Sequence, residues 1–308
     1  MPEISLVIPS YNETENIKSF TAELIERMEA TGCSFEIIFI DNASTDGTID
    51  HIRQMCSADN RLKAIVNARN FGQIRSPFYG VQQAYGDAVI HLPSDGEVPS
   101  SVIPELIAQW KEGMKVVHAV KEYDGSNLMI FLKSTFQRSL NSISSEELTY
   151  NSSGYGLVDQ TVITHMRNIK AAVPYYRGLL NQLSGDIGIV RYVHRKRNFG
   201  LSKNNLMSLT DYALVGLVHQ SKIPLRAMML LGGVGAIVSL GLSFYYLGIK
   251  LLYWDSLQLG IAPLICMTLF MMAVLMFFIG LLGEYLYHIF LTTRNFPMVV
   301  ERERINFD

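Results

Sequence analysis

Cysteine is scarce. Cys33, Cys56 and Cys266 are the only three in 308 residues, and no two stand at metal-ligand spacing. They read as ordinary buried thiols, and no disulfide framework or cysteine-held metal is implied. An excess of one charge is also missing. The chain has 26 Lys and Arg against 28 Asp and Glu, a formal net charge of -2. Bulk charge therefore gives no case for nucleic acid as a partner. No G-x-G-x-x-G follows the first apolar run, and no G-x-x-x-x-G-K-[ST] occurs anywhere. The phosphate cradles of dinucleotide-binding and P-loop proteins are absent with them. There is no internal repeat and no low-complexity segment. No cleavable signal peptide is expected, because Met1 to Pro9 runs straight into a strand pattern. Hydrophobic residues make up 49% of the chain, and the long apolar runs fall in its last third.

What is present begins with an alternation of short apolar runs and helical spacings. Ile4 to Ile8 is a compact strand, broken by Pro9-Ser10-Tyr11-Asn12-Glu13. Thr14 is placed to cap a helix whose apolar positions are Ile17, Phe20, Leu24 and Met28, and Gly32 ends it. Phe35 to Ile40 is a second strand, apolar almost throughout, as parallel strands buried on both faces are. A polar turn from Asp41 to Thr48 leads into a helix carrying Ile49, Ile52 and Met55. Leu62 to Val66 is a third strand, Asn70-Phe71-Gly72 a turn, and a helix then runs to Tyr85. Ala88 to Ile90 is a fourth strand, stopped by Leu92-Pro93, with a loop at Ser94-Asp95-Gly96-Glu97 and a helix from Pro99. This order calls for an α/β fold with a mostly parallel, Rossmann-like sheet.

In such a sheet three polar loops share one edge: Tyr11 to Glu13, Asp41 to Asp46, and Asp95 to Glu97. Carboxylates at the carboxyl ends of strands are hard oxygen ligands. They suit Mg2+ or Mn2+, which in turn holds a diphosphate. The plain alternative for Asp95-Gly96 is a strand-to-helix turn. Further on, Lys115 to Val120 and Asp186 to Val193 read as strands, and Leu128 to Leu140 as an amphipathic helix. His194 to Lys203 is the densest basic run in the chain. It suits phosphate recognition or a basic membrane-surface patch.

The last third reads as a membrane region. Leu206 to Val218 is an interfacial amphipathic helix. The runs Ala227 to Leu252 and Leu259 to Leu282 each exceed the roughly 20 residues that a transmembrane helix needs. Lys203, Lys222 and Arg226 precede the first run, and Arg294, Arg302 and Arg304 follow the second. The expectation is a multi-pass protein of the inner (plasma) membrane with both termini cytoplasmic. The divisions are a catalytic domain over 1–205, a juxtamembrane segment over 206–226, two transmembrane helices within 227–287 and a tail over 288–308.

Several ordered motifs carry a family resemblance. They are Leu6 to Glu13, Ile40 to Thr48, Ala68-Arg69-Asn70-Phe71-Gly72 and Gly86-Asp87. Together they resemble the inverting family-two glycosyltransferases of GT-A fold. Within these they are similar to the branch that loads one sugar onto a polyprenyl phosphate, such as undecaprenyl phosphate, for cell-envelope glycans. The resemblance implies a nucleotide-sugar donor held by Pro9, Tyr11, Glu13 and Asp41, with Asp41 near the nucleobase or ribose. It places Arg69 near the diphosphate and Asp95, next to Ser94, on the metal. Arg197, Gly200, Ser202 and Lys203 match the family's Arg-x-x-Gly-x-Ser-Lys, which implies phosphate contacts for Arg197 and Lys203. Tyr176 to Leu180 matches its Arg-Gly-Leu segment. A homo-oligomer, a tetramer by the same resemblance, is also implied.

The chain departs from the family at telling places. Pro93 stands where the first acid of Asp-x-Asp is usual, and Glu97 either supplies the missing charge to the metal or points to solvent. Asn42 replaces the second acid of Asp-Asp-Gly-Ser, and Ala43 replaces its glycine. Ser152 to Gln160 stands where the family reads Gly-Asp-Phe-Arg-Leu-Met-Asp-Arg, with Leu157 and Asp159 matching, so the acid usually proposed as catalytic lands on Gly154, or on a neighbour if the register slips, and its Arg on Gly156. A phosphate monoester has a second pKa of about 6 and is already largely a dianion at neutral pH. Such an acceptor needs no base, only positioning and cationic stabilisation. Asp95, Glu97 and Arg197 are then the candidate catalytic residues. The competing readings are a catalytically impaired relative serving as a nucleotide-sugar-binding or assembly subunit, and a polysaccharide synthase, for which no Gln-x-x-Arg-Trp occurs.

Overall fold

The computed structural model describes residues 2–122, 152–169, 176–193, 261–293 and 297–307, with isolated helical positions at 230, 234, 241, 245 and 252. Its centre is an eight-stranded sheet. Strands β1 (Ile4–Ser10), β2 (Phe35–Asp41), β3 (Leu62–Asn67) and β4 (Ala88–His91) alternate with helices α1 (Ile17–Thr31), α2 (Thr48–Ala58) and α3 (Gly72–Gln83). After a 3-10 turn at Ser100–Val102 come α4 (Ile103–Lys111), β5 (Val116–Glu122), β6 (Ser152–Asp159), α5 (Gln160–Arg167), α6 (Tyr176–Leu183) and β7 (Ile187–Val193). Helix α7 (Ile261–Thr293) and strand β8 (Glu301–Ile305) complete the described elements. The strand order is β7-β5-β6-β4-β1-β2-β3-β8.

The expected parallel core is there. β4, β1, β2 and β3 run parallel in that spatial order, and β5 pairs parallel with β7. Antiparallel pairings join β6 to β4 and β5, and β8 to β3. The central strands are buried along their length, apart from the half-buried Pro9 of β1, which explains their apolar runs. One face packs Leu6, Ile8, Phe39 and Ile90 against Phe20, Leu24 and Met28 of α1 and Ile103 and Leu106 of α4. The other packs Val7, Ile38, Ile40 and Val89 against Phe78 and Val81 of α3, with Val162 and Met166 of α5. Gly32 closes α1 in the left-handed region at φ 71°, as its position after the apolar period predicts. Thr14 does not cap α1; its hydroxyl donates instead to the Asp46 carbonyl at 3.0 Å.

Two departures concern the C-terminal third. Glu301–Ile305 is a strand that extends the sheet beyond β3, where the sequence reading has only a tail. The expected multi-pass inner-membrane location, with both termini cytoplasmic, is overturned. Among the described residues no helix is long and apolar enough to cross a membrane. That expectation needs a hairpin of two spans. Of the run 227–252 only five isolated positions are described, and 206–226 lies outside the described residues. The second run falls on α7 from Ile261 onward. The helix read over Leu128 to Leu140 also lies outside them.

Candidate active site

Because β4, β1, β2 and β3 are parallel neighbours, their carboxyl ends deliver four loops to one edge in that order. Asp95 and Glu97 follow β4, Tyr11 to Glu13 follow β1, Asp41 to Asp46 close β2, and Arg69 follows β3. Ligands of open α/β sheets bind at this edge.

The first two loops are stitched together by short polar side chains. The Asn12 N–H donates to Ser44 Oγ at 2.9 Å, and Asn12 Oδ1 accepts from the Thr45 N–H at 2.8 Å. Asn12 sits at φ 56°, a left-handed conformation that asparagine tolerates. The Glu13 N–H donates to Thr48 Oγ1 at 2.8 Å, and the Thr14 N–H to Asp46 Oδ2 at 3.1 Å. Burial pushes the Asp46 carboxyl up, but donors from Thr48 and Thr14 outweigh it and hold the pKa below the usual range.

Asp41 is fully buried. Its carboxylate accepts the Ser44 N–H at 2.9 Å and the Ser44 hydroxyl. Burial raises its pKa, and the Ser44 hydrogen bonds only partly offset this. Asn42 binds the second loop to the third. Its Oδ1 accepts from Asn67 Nδ2 at 3.1 Å and the Phe71 N–H at 2.9 Å. Its Nδ2 donates to Asn70 Oδ1 at 2.9 Å and to the Gly72 carbonyl at 3.4 Å. The family's acid has no donor for the latter pair, so the amide belongs to this loop's own wiring. Ala43 sits at φ 61°, the conformation for which the family's glycine is suited. Arg69 is exposed, and its guanidinium lies over the Phe71 ring, 4.5 Å from the centroid. That leaves a planar cation displayed at the loop's tip.

After β4, the Leu92 N–H donates to the Val7 carbonyl at 3.2 Å, which ties this loop to β1. Ser94 is buried, whereas Asp95, Gly96 and Glu97 are half-buried. The Glu97 N–H donates to Asp95 Oδ1 at 3.0 Å across Gly96 at φ 70°. This is an Asx turn, so the plain reading of Asp-Gly and the ligand reading share one geometry. Among the described residues no group of three or more His, Cys, Asp or Glu side chains is placed to hold a metal. Two carboxylates still fit Mg2+ or Mn2+, which take one or two protein carboxylates and complete their shells from water and substrate phosphate.

Beside β4 the family's acidic segment is rebuilt. Gly156 lies between His91 of β4 and His118 of β5 in register. It adopts φ 143°, and a Cβ there would lie 2.0 Å from the Val117 carbonyl oxygen. The family's Arg has no room here. Gly154 is also left-handed, at φ 82°. His91 is buried, its ring 5.1 Å from that of Tyr155 and 5.6 Å from that of Tyr176. Burial pushes its pKa down to about 4, the Gly154 backbone opposing only weakly, so the imidazole is neutral. His118 Nε2 meets Asn181 Oδ1 of α6 at 2.9 Å. Asp159, which matches the family's acid, has a structural task. It caps α5 through the Thr161 N–H at 2.9 Å and accepts from Trp110 Nε1 at 2.8 Å and Lys115 Nζ at 3.1 Å.

Residues 5–172 match the family described as Glycosyl transferase family 2. The chain belongs to that family. As a family-2 glycosyltransferase it is 30% identical over 300 residues to the SfII prophage-derived bactoprenol glucosyl transferase of Shigella flexneri, covering 97% of each chain. It is 29% identical over 304 residues to the glycosyltransferase YkcC of Bacillus subtilis, covering 97% of this chain and 93% of that one. Among solved structures, mannosyl-3-phosphoglycerate synthase from Rubrobacter xylanophilus superposes with a TM-score of 0.50 at 15% identity, over 75% of each chain. That likeness concerns the fold, which is GT-A.

Of the residues singled out from sequence, Pro9, Tyr11, Glu13, Asp41, Arg69, Ser94, Asp95 and Glu97 all lie on this edge or at the strand ends leading to it. Arg197 and Lys203 lie outside the described residues. Sequence reasoning passed over Asn12, Ser44, Asn67 and Asn70, which hold the loops in place. Their signal was the run of short amides and hydroxyls immediately after apolar strands, the residue types that bond backbone locally.

Proposed function

We propose that this glycosyltransferase moves a single sugar from a nucleotide-sugar to a polyprenyl phosphate, with inversion at the anomeric carbon. The observation that carries the donor half is the convergence of the Asp95-Glu97 pair, the Asn12-Ser44-Thr48 stitch and Arg69 on one sheet edge. The acceptor half is supported by relatives named bactoprenol glucosyl transferase across 97% of the chain.

The nucleoside sits over the joined β1 and β2 loops. Asp41 has no exposed surface, so it acts by fixing Ser44 and the backbone around it. Arg69 faces the diphosphate, and Asp95 with Glu97 holds Mg2+ or Mn2+. The bound ion supplies Lewis-acid neutralisation of the departing diphosphate. An oxygen of the acceptor phosphate forms the new bond to the anomeric carbon, and the bond from that carbon to the donor's terminal phosphate oxygen breaks. No proton has to be removed, since the acceptor is already a dianion above a pH of about 6. Gly154 in the place of an acid is consistent with this chemistry, and it removes a negative charge from the path of an anionic acceptor. Arg197 and Lys203 are assigned to acceptor and donor phosphates, and a homo-oligomer is proposed by family likeness.

Calorimetric titration with UDP, GDP and CDP, with and without Mn2+, tests the donor half. One nucleotide should bind in a metal-dependent way, and Asp95→Asn should remove the dependence on metal. Binding indifferent to both metal and Asp95 would falsify the role given to this carboxylate.

A further inference from the structure

Strand β8 enters the sheet beside the strand that ends in the Arg69 loop. Its register pairs Ile305 with Ala64, Arg304 with Ile65 and Glu303 with Val66, then shifts so that Glu301 faces Asn67. Just beyond the ladder the Ala68 N–H donates to the Val300 carbonyl at 2.8 Å. That bond holds the residue immediately before Arg69. Glu301 reaches in the other direction, to α3: the Tyr79 hydroxyl donates to Glu301 Oε1 at 2.8 Å, and Arg304 pairs with the same carboxylate. Helix α3 starts at Gly72, the last residue of the Asn70-Phe71-Gly72 turn, and its Ser76 hydroxyl accepts from Asn67 Nδ2 at 2.9 Å. The end of β3 is thus held between β8 and α3, with the exposed Arg69 loop projecting from the clasp. Met298 and Phe307 flank the strand and pack on the α3 face of the core. A second attachment lies on the far side of the strand, where Arg53 of α2 binds Glu303 with Nε at 3.2 Å and Nη2 at 2.6 Å.

We propose that β8 is a positioning element for the donor: Val300 holds the Ala68 backbone and Glu301 holds the middle of α3, the helix that the Ala68 to Gly72 loop leads into, so that Arg69 is set for the diphosphate before it binds. The inference rests on the donor-site reading above. Tyr79 and Glu301 are positioning residues and touch no substrate. Burial, with Glu301 as the acceptor, pushes the Tyr79 pKa up to about 12, so the hydroxyl keeps the proton it donates through the neutral range. The Glu303 to Arg53 bond anchors the same strand to α2 rather than to α3. The two attachments therefore separate positioning from plain strand stability.

The test compares full-length Tyr79→Phe, Glu301→Ala, Glu301→Gln and Glu303→Ala. The readouts are the Kd for whichever of UDP, GDP and CDP the unaltered chain binds in Mn2+, the donor KM and kcat, and thermal unfolding. Tyr79→Phe and Glu301→Ala should raise Kd and KM about three- to tenfold, the scale of one lost hydrogen bond, with kcat within about twofold. Glu301→Gln keeps an acceptor for Tyr79 and should recover most of the loss. Glu303→Ala should lower the melting temperature and leave Kd unchanged. Amides of residues 68–75 should exchange faster in Tyr79→Phe than in Glu303→Ala. Unchanged Kd in both Tyr79→Phe and Glu301→Ala, or an equal rise in Glu303→Ala, overturns the positioning role. An unaltered chain that binds none of the nucleotides overturns the donor-site reading instead, a result the variants cannot mimic.

Discussion

Asn42→Asp restores the acid usual in the family, and the structure expects it to damage the protein. The side chains are almost the same size, so packing is not the issue. Asn42 is 7% exposed and its side chain makes four hydrogen bonds, two of them through Nδ2 to Asn70 Oδ1 and the Gly72 carbonyl. An ionised aspartate has no donor. Two bonds worth about 1 kcal/mol each vanish, and the two acceptors are left facing a carboxylate oxygen, but both lie on exposed residues and Asn70 Oδ1 still accepts the Gly72 N–H at 2.8 Å, so neither goes unsatisfied. The Asn67 and Phe71 donors to Oδ1 survive and strengthen against a charge, returning about 1 kcal/mol. A net loss of roughly 1 kcal/mol follows at pH 7. The sign of its pH dependence is fixed by burial and by the facing acceptors. Both raise the folded-state pKa above the unfolded value of about 3.9. The ionisation penalty is therefore absent below about pH 4 and grows as pH rises toward the raised folded pKa. Urea unfolding of parent and variant at pH 4 and pH 7, followed by circular dichroism, measures both parts. A variant as stable as the parent at pH 7, or one whose deficit is larger at pH 4, would refute the wiring deduced for this loop.

Other substitutions probe the same edge. Gly156→Ala places a Cβ 2.0 Å from the Val117 carbonyl oxygen. It should cost at least about 3 kcal/mol in urea unfolding, and Gly156→Arg should not yield folded protein. Ala43→Gly relieves a left-handed alanine at φ 61°. Relief of about 1–2 kcal/mol against an unfolded-state entropy cost of about 0.4–1 kcal/mol predicts a small gain in unfolding midpoint, and a loss would show that Ala43 is not strained. Asp46 has a lowered pKa, so its stabilisation is complete above the unfolded value and is lost as pH falls through the depressed one. Asp46→Asn should lower the midpoint at pH 7, and the gap from the parent should close on acidification below about pH 4.

The central strands were legible because both of their faces are buried, which makes each one a continuous apolar run ended by a turn. The loops after them were legible as polar, and Gly32 and Gly96 as turn residues. What the loops do to one another was not legible, because Asn12 to Thr45 and Asn42 to Asn70 are contacts between segments about 30 residues apart, which no local pattern encodes. Strand β8 escaped for a related reason. Glu301-Arg302-Glu303-Arg304 reads as a charged tail, yet an edge strand tolerates such residues when Tyr79 and Arg53 receive the two glutamates. Gly154 and Gly156 read as losses against the family pattern. Gly156 in fact permits β5 and β6 to approach where a side chain would clash. The reading of the last third as a membrane hairpin rested on the length of two apolar runs and the basic residues flanking them, and no described helix is long and apolar enough to cross a membrane.

The central claim is sugar transfer to a polyprenyl phosphate through a site organised by Asp95. The most direct measurement is radiolabelled-sugar transfer by purified, detergent-solubilised protein, with undecaprenyl phosphate, Mg2+ or Mn2+, and a panel of nucleotide-sugars. The account predicts a lipid-extractable product from one donor, abolished by a chelator and by Asp95→Asn. A panel without product while nucleotide binding is intact, or transfer that survives Asp95→Asn, would contradict it.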